Sequence, residues 1–277
     1  MEIIKGNGTR VEYDEERVRA NIRRTGASSE IAQKVLDDIR SKVFEGMHTS
    51  ALHELVKKSL QQHSVCHACR YNLRDALLRL GPAGFNFEFF IAELLGAHGY
   101  DARVPTAELR GACVEHEVDV VAHKENRSVF IEAKFRNVKD DVVNLKDVMA
   151  TWARFLDLVD GAGLGYTEHL DECMIMTNAR FTDVASRFGT CKGMRLVSWD
   201  YPKGFTLASL IDQTALYPVT VIDDFSPEEI GKMAEAGILL CKNLEALEPD
   251  ELSSKIQVSI ARAQSMVHAA GLVVHGE

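Results

Sequence analysis

The chain has 277 residues, 46% of them hydrophobic and 26% charged, with a formal net charge of −9. That apolar content supports two or three packed domains and excludes a disordered or fibrous chain. The longest apolar runs, around Phe85–Leu95 and Ala269–Val274, fall short of the roughly 18 residues a membrane span requires, so no membrane partner is expected. The opening Met-Glu-Ile-Ile-Lys-Gly lacks the basic-then-apolar order of a secretory signal, and the six cysteines are scattered, which together predict a reducing cytoplasm.

Charge is unevenly spread: residues 1–83 carry +3, residues 84–216 carry −6 and residues 217–277 carry −6. Phosphate contacts are made by Lys and Arg, so the acidic excess argues against a simple basic nucleic-acid binder. A nuclease that binds cations also needs carboxylates, however, and an acidic centre is compatible with DNA once a divalent metal is bound.

In chain order, Glu2–Lys5 and Arg10–Tyr13 read as two short strands joined at Asn7-Gly8, a dipeptide suited to a tight hairpin. Asp14 caps a helix to about Thr25, with Glu15 and Glu16 at the positive end of its dipole. Helical patterns follow over about Ser29–Phe44, Ala51–Gln62 behind Thr49-Ser50, and Val65–Leu80, until Gly81-Pro82 breaks the run. A helix from Phe85 to about Ala97 then leads to two strands, Val118–Ala122 and Val129–Phe135. A long amphipathic helix at about Asn144–Val159, strand Met174–Thr177, helix Thr182–Phe188 and strand Arg195–Ser198 come next. This alternation predicts parallel pairing in a mixed α/β sheet. After Tyr217-Pro218 only helices are expected, at about Ser226–Ala236, Asn243–Leu247 and Asp250–Ala270. The fold class is α/β in three domains: a mostly helical one with a β-hairpin over residues 1–83, a central mixed sheet flanked by helices over 84–215, and a small helical one over 216–277.

The chemistry concentrates in Glu117-Val-Asp119-Val-Val and Val129-Phe-Ile-Glu132-Ala-Lys134-Phe. Strand alternation puts Glu132 and Lys134 on one face and Ile131, Ala133 and Phe135 on the other. Charges inside an apolar strand are paired, bind metal or lie at a solvent edge, because burying an unpaired charge costs several kcal/mol. Asp119 and Glu132 with the Ala133 carbonyl offer hard oxygen ligands to Mg²⁺ or Mn²⁺, with Lys134 near the attacking water and Glu88 able to complete the shell through a water. The plain alternative is a solvent-exposed ion-pair stripe.

These residues, with Phe87-Glu88-Phe-Phe-Ile-Ala-Glu-Leu-Leu before them and Thr177-Asn178-Ala-Arg180-Phe181-Thr182 and Arg195-Leu-Val-Ser-Trp-Asp200 after, resemble the Mrr-like branch of the PD-(D/E)xK nuclease superfamily over about residues 85–212. The resemblance implies a metal-dependent DNA endonuclease with Asp119 and Glu132 as ligands, Lys134 positioning water and Glu88 accessory. Asn178 and Arg180 either face the DNA phosphate or form a helix-capping turn. Glu117 stands where Mrr-like chains often carry Gly. The same fold also hosts inactive members, so a catalytically inactive, nucleotide-responsive DNA-binding or regulatory protein is the competing class.

The segment Ile4-Lys5-Gly6-Asn7-Gly8-Thr9-Arg10, Asp14-Glu15-Glu16-Arg17-Val18 and Thr49-Ser50-Ala-Leu-His53 resembles the ATP-cone, a regulatory nucleotide-binding domain. The resemblance implies that Lys5, Arg17, Thr49 and His53 contact ATP or dATP, with the backbone of the Asn7-Gly8 turn approaching the phosphates. Gly6 replaces the usual Arg and removes one phosphate contact. With no Gly-x4-Gly-Lys-Ser/Thr loop, nucleotide is expected to be sensed, and regulation to act through a change of homo-oligomer. His63, Cys66, His67 and Cys69 lie on a presumed helix without a second ligand pair, and Gly161–Gly165 reads as a connector. The acidic tail faintly resembles a helix-hairpin-helix module, with protein contact or DNA contact as its two uses.

Overall fold

The structure is a computed structural model that describes residues 1–80, 87–138 and 141–275. The domain boundary expected at 83/84, the Gly81-Pro82 break and the helix start at Phe85 lie outside the described residues. The chain divides into two compact units, residues 1–76 with 217–277, and residues 77–216.

The first unit opens with strands β1 (Glu2–Ile4) and β2 (Arg10–Glu12), antiparallel across a turn in which Gly8 takes φ +81°. Helix α1 (Glu15–Arg24) starts where Asp14 accepts the Arg17 amide, and α2 (Ser29–Arg40) where Ser28 accepts that of Ile31. Strand β3 (Met47–His48) returns parallel to β1 and runs directly into α3 (Thr49–His63). The expected single helix over 65–80 is two, α4 (Val65–Tyr71) and α5 (Leu73–Leu80), meeting at Asn72. Ile22, Val35, Leu36, Ile39, Val56 and Leu60 are fully buried where α1, α2 and α3 meet. Their three-to-four-residue spacing makes each helix amphipathic, and burial of that stripe holds the small sheet against them.

The second unit is a five-stranded mixed sheet with helices on both faces. Helix α6 (Phe87–Ala97) precedes β4 (Asp101–Arg103), a short pair β5 (Leu109–Arg110) and β6 (Glu115–His116), then β7 (Val120–Lys124) and β8 (Arg127–Lys134). Glu125 and Asn126 both take positive φ, the conformation of a two-residue hairpin turn. After β9 (Val142–Val143) comes α7 (Leu145–Gly163), capped by Asn144 and Asp147 reciprocally. Then follow β10 (Glu172–Thr177), β11 (Arg180–Phe181), α8 (Asp183–Cys191), β12 (Arg195–Val197) and α9 (Leu207–Thr214). The sheet order is β12-β10-β8-β7-β4; β10 is parallel to β8 and β12, while β7 and β4 are antiparallel to their neighbours. Phe130, Ile175 and Leu196 pack with Val148, Phe155 and Leu158 of α7 on one face, and α6 packs against β4, β7 and β8. Phe87 at the start of α6 meets Phe135, which alternation places on the opposite face from Phe130.

Gly161 and Gly163 belong to the last turn of α7, so the expected connector begins only beyond them. Gly161 is required there: a Cβ would stand 2.6 Å from the backbone of Gly111.

The C-terminal helices are α10 (Pro227–Glu235), α11 (Cys241–Glu245), α12 (Pro249–Ile256) and α13 (Ile260–His275), after a 3-10 turn at Val219–Val221. The expected helix over 250–270 is interrupted at Gln257, which takes φ +54°. These helices join residues 1–76 in the first unit. Thr220 donates to the Ala76 carbonyl (2.6 Å), Arg70 to that of Val273 (3.1 Å), and Lys57 pairs with Asp223 (2.7 Å).

Candidate active site and nucleotide site

Pairing of β7 with β8 ends at Val120 opposite Ile131, so Asp119 turns its side chain across the open end of the hairpin. Its Oδ2 accepts the Ala133 amide at 2.7 Å. A residue's N–H and C=O point the same way in an extended strand, so the Ala133 carbonyl faces this same side. Next on β8, Glu132 is only 2% exposed. One of its carboxylate oxygens meets Lys134 Nζ, and the other takes Arg154 Nη1 from α7 at 2.6 Å. Arg154 also donates to the Glu117 carbonyl, bridging α7 to the strand end that carries Asp119.

The structure brings Asp119, Glu132 and Lys134 together at the open end of the β7–β8 pair, with Glu132 and Lys134 one pleat apart on β8 as alternation expects, and Glu132 is not part of an exposed stripe. Burial, and then the charge of Glu132, push the Asp119 carboxyl up to about 6, against the Ala133 hydrogen bond and the Lys134 and Arg154 charges. Glu88 lies in the first turn of α6 and, among the described residues, shares no hydrogen bond or ion pair with these three. Among the described residues no three His, Cys, Asp or Glu side chains converge as a metal cluster. The Asp119 and Glu132 carboxylates lie near enough for the charge of one to act on the other, and carboxylate and carbonyl oxygens are hard donors of the kind Mg²⁺ takes together with water and phosphate.

Arg154 escaped the sequence reading, since a lone Arg on an amphipathic helix looks like solvated charge; its spacing within the apolar stripe of α7 was the only signal. The DNA-facing reading of Asn178 is corrected. Asn178 is 4% exposed and clamps the Arg136 backbone from both ends, accepting its amide and donating to its carbonyl, each at 2.8 Å. Thr177 likewise donates to the Lys134 carbonyl at 2.6 Å. The Thr-Asn pair therefore braces the strand end that presents Lys134. Arg180 is exposed on β11.

In the first unit the register Ile3 to Met47 and Ile4 to His48 brings Lys5 beside Thr49 at the ends of two parallel strands. Lys5 closes the hairpin turn through Thr9 and Gly8, and the Asn7 carboxamide accepts the Thr9 amide at 3.1 Å. Thr49 is the first residue of α3, where free amides and the helix dipole favour an anion. His53, one turn on, stacks on Tyr71 with ring centroids 4.6 Å apart and stands 3.8 Å from Asp75. Arg17 is exposed in the first turn of α1. The tempting cluster at 63–69 points elsewhere: His63 to Asp38 (2.8 Å), His67 to the Thr25 carbonyl (3.1 Å).

The family described as ATP cone domain matches residues 1–71, and the family described as restriction endonuclease matches residues 82–201. An uncharacterized protein of Archaeoglobus fulgidus is 30% identical over 184 residues, 66% of this chain and 99% of that protein. A crystal structure of a protein of unknown function aligns at 29% identity with a TM-score of 0.56, covering 69% of this chain and 97% of that one. The chain belongs to the same family as the archaeal protein and joins, in one polypeptide, an ATP cone domain and an Mrr-like restriction endonuclease domain.

Proposed function

We propose that the protein is a divalent-metal-dependent DNA endonuclease of the cytoplasm whose cleavage is set by ATP or dATP at the cone, through self-association of the chain. The observation that carries this reading is the buried Glu132, held by Lys134 and Arg154 beside a second carboxylate whose pKa lies at about 6. Such crowding of like charge is sustained where a cation binds. Asp119, Glu132 and the Ala133 carbonyl would hold Mg²⁺ or Mn²⁺, which when bound stabilises charge on the phosphodiester and acidifies water. Lys134, with its side chain 30% exposed, orients a water toward phosphorus and offsets the developing negative charge. Arg154 fixes the Glu132 rotamer and so acts as a positioning residue.

At the other site, Lys5 and Arg17 supply charge to the nucleotide phosphates, the Asn7-Gly8 turn and the start of α3 at Thr49 supply backbone amides, and His53 supplies a ring for the base. Calorimetric titration of the full chain with Mn²⁺ tests the metal site. Binding lost in Asp119→Ala is the expected result; unchanged binding overturns the ligand assignment.

One feature favours a second reading, a nucleotide-responsive DNA-binding or regulatory protein that does not cleave: both oxygens of Glu132 already have a cationic partner. That reading predicts no Mn²⁺ binding by the wild type.

A further inference from the structure

Helix α7 carries its Arg154 inward to Glu132 but leaves an apolar stripe outward. Met149 is 49% and Leu156 44% exposed, and Ala150 and Ala153 between them are exposed as well. At about 100° per residue these four positions share one face of the helix. The stripe ends in a charge of each sign, Lys146 toward the N-terminus and Asp160 toward the C-terminus, both exposed. Neither enters an ion pair among the described residues.

The order of these residues is self-complementary about Ala153. Lys146 and Asp160 stand seven residues to either side of it, and Ala150 and Leu156 three to either side. An antiparallel crossing of two α7 helices on a two-fold axis at Ala153 therefore sets Lys146 of each copy against Asp160 of the other. It also sets each Leu156 over the small Ala150, and lets the helices approach closely at Ala153. A two-fold interface requires this kind of self-matching patch, and large-over-small packing with Ala at the crossing is how helices interdigitate.

We propose that the outward face of α7 is the surface on which a second copy of this chain docks, antiparallel and two-fold, as the self-association of the functional reading above. Because Arg154 adjoins Ala153 on the same helix, docking there abuts the element that holds Glu132. A dimer that survives Leu156→Glu removes this surface and leaves the self-association of the functional reading standing, whereas a permanent monomer removes both, and cleavage and nucleotide binding are read separately from mass in solution.

The test is sedimentation of the full chain across a concentration series, with folding of each variant checked by circular dichroism. The wild type is expected to dimerise. Leu156→Glu should abolish the dimer. Lys146→Glu or Asp160→Lys alone should weaken it about tenfold, since each places two like-charge pairs in the interface, and the combined swap should restore it. In a background lacking the exposed Cys113 and Cys191, Ala153→Cys should form an intermolecular disulfide. A monomer at every concentration, with or without ATP or dATP, overturns the proposal; so does a dimer that survives Leu156→Glu, or single charge reversals that the combined swap does not rescue.

Discussion

The metal-ligand role proposed for Asp119 needs an anion in a place that disfavours one. Burial and the neighbouring Glu132 raise its pKa from 3.8 to about 6. A carboxyl whose folded pKa lies above its unfolded value favours the folded state while protonated. That advantage is lost as pH rises from about 4 through 6. Asp119→Asn keeps an acceptor for the Ala133 amide and removes the charge. It should therefore be more stable than the wild type at pH 8, by about 1–2 kcal/mol, with the difference vanishing below pH 4; thermal denaturation against pH checks this, and an equal or lower stability at pH 8 contradicts it. Residues of this kind were legible because strand alternation and the spacing from Asp119 to Lys134 constrain them. Asn178 stayed open between a ligand contact and a capping turn because sequence cannot tell a polar side chain bound to backbone from one aimed at a ligand, and its actual partner, the Arg136 backbone, is 42 residues away in the chain.

At the scale of elements, α7 does most of the positioning. Its first turn is tied to the exit of β8 through Arg136 and Asp147 (2.8 Å), its middle to Glu132 through Arg154, and its last turn to Gly111 through Gly161. Arg154→Ala leaves Glu132 buried with one cationic partner instead of two. A loss of about 1–3 kcal/mol in stability is expected, together with reduced cleavage that Arg154→Lys restores only in part, because Lys lacks the fork that also reaches the Glu117 carbonyl. Unchanged melting and cleavage in Arg154→Ala would contradict the role. The long helices and the β7–β8 hairpin were readable from apolar periodicity and turn chemistry. Strand β4 and helix α9 were not, since a three-residue strand has no period to detect and Leu207–Thr214 follows a loop without a clear stop signal. The breaks at Asn72 and Gln257 lie inside continuous helical patterns, where packing decides.

For the whole molecule, an ATP cone domain and a restriction endonuclease domain share one chain, and the proposed coupling between them requires that nucleotide bind one arrangement or assembly better than another. The placement of residues 217–277 with 1–76 was not legible, because long-range packing of helices leaves no local pattern. If Lys5 holds a nucleotide phosphate as proposed, Lys5→Ala removes a charge-assisted contact and should weaken ATP or dATP binding about tenfold; an unchanged dissociation constant by calorimetry would contradict the assignment.

The most direct measurement is cleavage of methylated and unmethylated plasmid by the full chain with Mg²⁺ or Mn²⁺, with and without ATP and dATP, beside Lys134→Ala. The account predicts cleavage that needs the metal, changes with nucleotide and falls about a thousandfold in the variant. Cleavage by Lys134→Ala equal to wild type, or none by the wild type under any of these conditions, would contradict it.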